Sequence, residues 1–316
     1  MSLTLRPAVE ADYPRILAIF NAQSSDPMSL EEYMRQDQVR PKSGHFLRLV
    51  ALAGDETIRG YGTAFDGGGL MKPGHFSIGL RVDTPYRKGG TGSALLDALE
   101  RFAREHGATQ IDSSVEEKEP AALAWAEKRG YQKQHHIFKS SLKLAGFDPT
   151  PFLGPLERAQ AEGFRFAPLS AIGSDEATYR RLFELYDEAG SDVPGQEMVD
   201  QIPYEFFVKA VLEHPRFRPD ALWLALDGEV MAALAHLTPQ QDGSMYHQFT
   251  GVRRAYRGRG LATAVKMAAL QWAMVSGIPA LKTDNHSVNE RMLAVNRKMG
   301  YLPEPGSFTL RKTLAQ

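Results

Sequence analysis

Two stretches of this chain repeat each other at a fixed offset. VDTPYRKGGTG begins at Val82 and VRRAYRGRGLA begins at Val252, 170 residues later. The same offset carries Tyr86 onto Tyr256, Arg87 onto Arg257 and Gly90 onto Gly260. It continues without a gap through Gly107 and Gly277, Leu123 and Leu293, Lys128 and Lys298, Gly130 and Gly300, and Tyr131 and Tyr301. Chance would hardly place a turn, a helix end and a Gly-Tyr terminus in one register. The period is far longer than that of a solenoid repeat, so the chain holds two copies of one domain. Its 316 residues agree, at roughly 150 residues per domain.

The pattern within each copy is that of an α/β (α+β) fold. After each turn comes an amphipathic helix, with Leu95, Leu96, Leu99, Phe102 and Ala103 in one stripe, and Val265, Ala268, Ala269, Trp272 and Ala273 in the other. Gly107 and Gly277 fall where a helix C-cap belongs. A short strand follows each (110–115 and 280–284), then a helix ending at Gly130 or Gly300. Upstream lie three expected strands per copy: 46–53, 60–65 and 75–82, then 221–226, 230–237 and 245–252. The proline-rich stretch with Pro149, Pro151 and Pro155 reads as a linker over 146–163. The expected domains are therefore 1–145 and 164–316.

Composition narrows the chemistry. There is no cysteine, which excludes disulfides, thiolate metal sites and an acyl-cysteine intermediate. Net charge is −1, so no broad basic field points to nucleic acid. The apolar runs are too short to span a bilayer and the first residues lack a signal-peptide pattern, from which we expect no membrane partner and a cytoplasmic protein. Oligomeric state is not legible.

The turn itself is informative. Arg-x-x-Gly-x-Gly/Ala between a strand and a helix lets the backbone turn tightly and lets a ligand approach it. Successive N–H groups then face outward at a helix N-terminus, where the dipole favours a phosphate. Arg87 and Lys88, or Arg257 and Arg259, add positive charge. No Gly-Lys-Ser/Thr follows either turn, and neither copy has the third glycine of a dinucleotide fingerprint.

The run Val-x-x-x-Tyr-Arg-x-x-Gly-x-Gly/Ala, then a helix, a strand and a second helix closing in Gly-Tyr, resembles the GNAT superfamily of acetyl-CoA-dependent N-acetyltransferases. The resemblance covers both halves and is similar to the tandem-GNAT layout of mycothiol-synthase-like two-domain proteins. It implies two tandem domains, each a mixed, mostly antiparallel twisted sheet flanked by helices. It also implies acetyl-CoA as cosubstrate, with the turn cradling the pyrophosphate and the pantetheine arm in a gap between two splayed strands. The residues that match are Val82, Arg87, Lys88, Gly89, Gly90, Thr91 and Gly92 in the first copy. In the second they are Val252, Arg253, Arg257, Gly258, Arg259, Gly260, Leu261 and Ala262, with the backbone of residues 249–253 meeting the pantetheine.

The copies are unequal. The second carries Asn285, Asn289 and Asn296. Asn289 and Asn296, seven apart, would share a helix face and can bond a chain of amides, so both join the expected cofactor set. The first copy has Glu119 and Ala126 there. In many members the position of Asn296 holds a tyrosine that protonates the leaving thiolate; neither copy has it. A base is expected on the strand before the turn, where Tyr246, Gln248 and Thr250 share one face and His247 lies opposite with Met245 and Phe249, unless a β-bulge reverses that assignment. Tyr246, Gln248 and His247 are the catalytic candidates. Between Leu182 and Val208, Glu184, Asp187, Glu188, Asp192, Glu197, Asp200 and Glu205 stand with no basic residue, which would attract a cationic amine.

The expectation is acetyl transfer from acetyl-CoA to a primary amine of a small molecule or peptide, by direct attack, in the second copy. The first copy would be catalytically weak or structural. The alternative is a non-catalytic CoA-binding or sensing protein.

Overall fold

The computed structural model describes residues 3–24, 27–54, 56–192 and 201–314. The chain forms two compact units that do not follow the sequence copies end to end. One holds residues up to 134 together with 308–314; the other holds 135–192 and 201–307.

In the first unit the order of elements is β1 (Thr4–Pro7), α1 (Tyr13–Asn21), α2 (Leu30–Val39), β2 (Phe46–Leu52), β3 (Ile58–Phe65), β4 (His75–Val82), α3 (Thr91–Glu105), β5 (Gln110–Glu116) and α4 (Pro120–Glu127). β1 to β4 pair antiparallel in sequence order, while β4 and β5 run parallel. One face of this sheet buries Leu95, Leu96, Leu99 and Ala103 of α3. The other packs Ile16, Leu17 and Ile19 of α1 against Val50 and Tyr61. Gly107 takes φ +81°, as the C-cap reading requires.

The second unit contains most of β6 (Gln132–Lys143), then α5 (Gly154–Ala161), β7 (Arg165–Pro168), α6 (Glu176–Gly190), α7 (Tyr204–Phe207), β8 (Leu222–Asp227), β9 (Val230–Pro239), β10 (Met245–Val252), α8 (Leu261–Val275), β11 (Ala280–His286), α9 (Glu290–Lys298) and the start of β12 (Leu302–Thr313). β7 to β10 are antiparallel in sequence order, β10 and β11 are parallel, and β6 lies antiparallel beyond β11. The α8 face of the sheet is lined by small and branched apolar residues, including Ala264, Val265, Ala268 and Ala273. α6 and Phe207 cover the opposite face over Leu222, Leu224 and Leu234.

Each sequence copy thus supplies its last strand to the other unit. β6, from the first copy, pairs with β11, with Asn285 opposite Phe138. The end of β12 lies beside β5, where Leu314 N donates to Thr109 O and Arg311 pairs with Asp112. The stretch 146–163 holds a single 3₁₀ turn and α5, whose Leu156 and Ala159 are buried in the second unit's core. Among the described residues no helix is long and apolar enough to cross a membrane, and none form a cluster that could hold a metal ion.

Candidate functional site

The second-copy turn places Gly258 and Gly260 at φ +80° and +78°, a backbone only glycine adopts without strain. Gly260 is the N-cap of α8 and offers no side-chain cap. The first N–H groups of this fifteen-residue helix are therefore left for a ligand or solvent. A β-carbon on Gly258 would meet nothing, and one on Gly260 would meet only Pro155 Cβ at 3.8 Å. Conformation, not crowding within the protein, explains these glycines.

Beside the turn, the ladder between β10 and β11 runs over two positions, Met245 with Leu281 and Tyr246 with Lys282. β11 then continues against β6 as far as His286, while β10 stays with β9 as far as Val252. The parallel strands separate beyond Tyr246, and the backbone edge of residues 248–251 faces the gap. This is the splay that a chain of amides such as pantetheine could fill by bonding a strand edge. At its inner end Thr283 Oγ1 donates to His247 O at 3.3 Å.

A β-bulge in β10 reorders the candidate bases. His247 pairs with Leu237 and Phe249 with His236, so Gln248 is the extra residue. Met245 and Val252 pack with α8, whereas Phe249 stacks on Tyr186 of α6 at 4.9 Å. The expectation that His247 lies opposite Thr250 is therefore corrected: His247 Nε2 and Thr250 Oγ1 are 2.7 Å apart. His247 is buried, and desolvation, helped by the Lys266 cation, pushes its pKa well down, so the ring is neutral at pH 7. Gln248 is exposed and Tyr246 half-buried. His236 is buried with its Nδ1 2.5 Å from Tyr186 Oη, and burial lowers it to about 3.

The asparagines play different parts. Asn289 is the N-cap of α9, one position before the helix that carries Asn296, and its Oδ1 accepts from Met292 N at 3.3 Å. Asn296 and Asn285 are buried and bonded to each other, Asn296 Nδ2 to Asn285 Oδ1 at 2.7 Å. The sequence reading missed Lys266, which lies buried on α8 and donates to Asn296 Oδ1 at 2.9 Å. Its one legible signal was a lysine where the first copy has Leu96.

The acidic stretch is also reinterpreted. Glu188 and Glu184 pair with Arg253, Glu188 Oε1 accepts from Arg254 N, and Asp192 holds both Arg254 and Arg257, the latter at 2.6 Å. These two guanidinium groups hold the Asp192 carboxyl down at about 2. Asp187 accepts from Ile202 N. Glu184 and Glu188 of α6, with Asp192 just beyond it, thus pair with the arginines beside the turn and do not stand as unpaired charges. Glu197 and Asp200 lie outside the described residues. Arg259 pairs with Glu162, and Arg257 Nε also bonds Val252 O. Leu261 is buried in the α8 core, and Ala262 is the next helical residue.

The first-copy turn has the same shape with different contents. Gly90 caps α3 at φ +85°, but Lys88, not a glycine, takes φ +65° where the second copy has Gly258. Arg87 pairs with Glu119 at 3.0 Å and bonds Gln23, whose amide bonds Val82 O. A β-carbon on Gly92 would meet Trp125 Cζ2 and Val82 Cγ2, both at 3.6 Å, so the indole lies beside the first turn of α3. Thr91 is buried and Gly89 is exposed.

Comparison with known proteins agrees with this architecture. The model of the acetyltransferase (GNAT) family matches residues 11–131 and 179–301. A mycothiol acetyltransferase of Geodermatophilus obscurus is 27% identical over 267 residues, covering 79% of this chain and 78% of the relative. One of Clavibacter sepedonicus is 25% identical over 305 residues, covering 93% and 94%. Among solved structures, a tandem GNAT protein from the clavulanic acid biosynthesis pathway superposes with a TM-score of 0.72 at 17% identity, covering 100% of this chain and 99% of that one. A GCN5-related N-acetyltransferase from Sphaerobacter thermophilus gives 0.71 at 19%, covering 98% and 95%; at such identities the likeness shows the fold alone. With its duplicated strand–turn–helix, splayed parallel strands and two family matches over most of its length, the chain belongs to the GNAT family and is a tandem-GNAT N-acetyltransferase.

Proposed function

We propose that the second copy transfers acetyl from acetyl-CoA to a primary amine by direct attack in a ternary complex, and that the first copy is structural. One contrast carries this reading. In the second copy the gap between β10 and β11 leads from the α8 N-terminus to buried polar groups. In the first copy the matching positions Leu96, Val115 and Ala126 are apolar, and Lys88 holds the left-handed turn position that Gly258 takes in the second. The relatives' names describe transfer to a small molecule, which supports a small-molecule amine over a peptide as acceptor.

In this reading the N–H groups of residues 260–262 hold the pyrophosphate, and Arg257 exchanges Asp192 for phosphate oxygens. The strand edge of residues 248–251 orients the arm and polarises the thioester carbonyl. Attack forms the amide C–N bond as the C–S bond breaks, and the electron pair leaves on sulfur. One ammonium proton must be accepted before attack, and the second N–H proton, lost as the amide forms, passes to the departing sulfur. His247, neutral and joined to Thr250 Oγ1, is the assigned acceptor through that hydroxyl, while Tyr246 and Gln248 orient the amine.

The test is acetyl-CoA consumption with a panel of primary amines, with the acetylated product identified by mass spectrometry. Turnover with a small amine supports the proposal. Binding of acetyl-CoA with no thioester consumption by any amine would favour the CoA-sensing reading.

A further inference from the structure

Four positions of the repeat change character together. Leu96, Val115 and Ala126 of the first copy stand where the second has Lys266, Asn285 and Asn296, and Ser140 of the first copy matches Leu310 of the second. Because the last strands are exchanged, each set of four meets in a single unit. In the first unit Leu96, Val115, Ala126 and Leu310 belong to one apolar cluster. In the second, the four polar residues form one chain of donors: Lys266 Nζ to Asn296 Oδ1 at 2.9 Å, Asn296 Nδ2 to Asn285 Oδ1 at 2.7 Å, and Asn285 Nδ2 to Ser140 Oγ at 2.7 Å. All four are at least nine-tenths buried.

The first unit shows that this fold closes with an entirely apolar set. Burying an ammonium opposes folding, and an apolar replacement of similar shape is often neutral or stabilising. The polar set therefore calls for a ligand that needs it. Its place in the fold identifies the ligand. Lys266 is six residues beyond the capping Gly260 of α8. Asn285 follows Thr283 on the same face of β11, and Thr283 bonds His247 O where β10 parts from β11. From Val252 to His247 the strand spans about 16 Å, comparable to the pantetheine arm. A phosphate held at the turn thus brings the sulfur to the Lys266–Asn296 end.

We propose that Lys266, acting through Asn296, stabilises the thiolate of coenzyme A as it leaves the thioester. This rests on the second-copy cleft described above. Lys266 keeps its proton throughout: the C–S electron pair leaves on sulfur, one ammonium proton goes to the base before attack, and the second N–H proton passes to the sulfur after it has left. It is a positioning residue that fixes the Asn296 amide, with its Nδ2–H side turned away from the cation. The other groups facing the network are neutral near pH 8: His247 from β10, with His236 of β9 beyond it, and Tyr301 after α9, whose hydroxyl burial pushes up. Met292 Sδ lies 3.8 Å from Lys266 Nζ.

The test is titration of CoA bound to the full chain, following thiolate ultraviolet absorbance. A free thiol titrates at roughly 8.5. In the wild type the bound thiol should titrate at least tenfold more readily, and Lys266→Met should return it towards the free value while desulfo-CoA binds both proteins alike. A wild type that binds no CoA would sink the cleft reading itself. A bound thiol that titrates as free CoA does, or equally in wild type and Lys266→Met, would sink this inference alone. The triple variant Lys266→Leu, Asn285→Val, Asn296→Ala copies the first unit's apolar set. It should fold, bind CoA and lose the thiolate shift; failure to fold would show that the network serves stability and would overturn the proposal.

Discussion

Replacing Gly260 with glutamate separates the cofactor reading from a merely structural one, because the first copy supplies its own control. Gly260 and Gly90 have nearly the same left-handed backbone, φ +78° and +85°, and both cap a fifteen-residue helix. Either substitution places an L-residue in that region at about 1–2 kcal/mol of strain. Neither clashes: a β-carbon meets only Pro155 Cβ at 3.8 Å in one case and nothing within 4 Å in the other. Stability should therefore fall alike, by roughly 2–8 °C in melting temperature for units of this size. The ligand effect should differ. A carboxylate at the α8 N-terminus occupies the anion site and repels a pyrophosphate charge about 4 Å away by roughly 1 kcal/mol in water, and up to about 4 kcal/mol at an effective dielectric of 20. With the cradle also strained, Gly260→Glu should weaken CoA binding by at least about tenfold. Calorimetric titration with CoA, alongside thermal melts, reads both quantities. Equal affinities in the two folded variants, or a larger loss from Gly90→Glu, would refute the reasoning.

Burial lowers Lys266 from 10.5 to about 8, so between those values the unfolded chain keeps a proton that the folded protein has released. Wild-type stability should rise across that window by about 3 kcal/mol from this group alone, and Lys266→Met should flatten the rise in urea titrations at pH 8, 9 and 10. Asp192→Asn frees Arg254 and Arg257 and should tighten CoA binding roughly two- to fivefold, as expected for removing about 1 kcal/mol of exposed repulsion; weaker binding would mean that Asp192 is needed to orient the turn. Asn289→Ala removes the α9 cap and should cost about 1 kcal/mol of stability, with CoA affinity little changed; a large loss of affinity at unchanged stability would restore its role as a ligand.

The duplication, the strand–turn–helix and the glycine caps were legible because they depend on local geometry: only glycine turns easily at Gly260, and apolar stripes announce α3 and α8. The exchange of last strands was not, since β6 and β12 read alike in either partner. Nor was the bulge at Gln248, which leaves no mark on an alternating strand yet brings Thr250 onto the face of His247 and turns Phe249 to the other. The run of carboxylates looked like a free negative surface because ion pairing across more than sixty residues, Asp192 to Arg257 for instance, has no local signature. Lys266 hid for the opposite reason: a lysine among apolar residues usually marks a helix's wet side, and its buried partners come from α9 and β11.

The central claim is that one of two similar turns has kept the cofactor. Calorimetric titration of the full chain with CoA, repeated for Arg257→Ala and Arg87→Ala, tests it most directly. The account predicts one CoA per chain, severely weakened by Arg257→Ala and unchanged by Arg87→Ala, because the first unit has only apolar residues where the second has Lys266, Asn285 and Asn296. Two equivalents per chain, or a single equivalent abolished by Arg87→Ala, would contradict it.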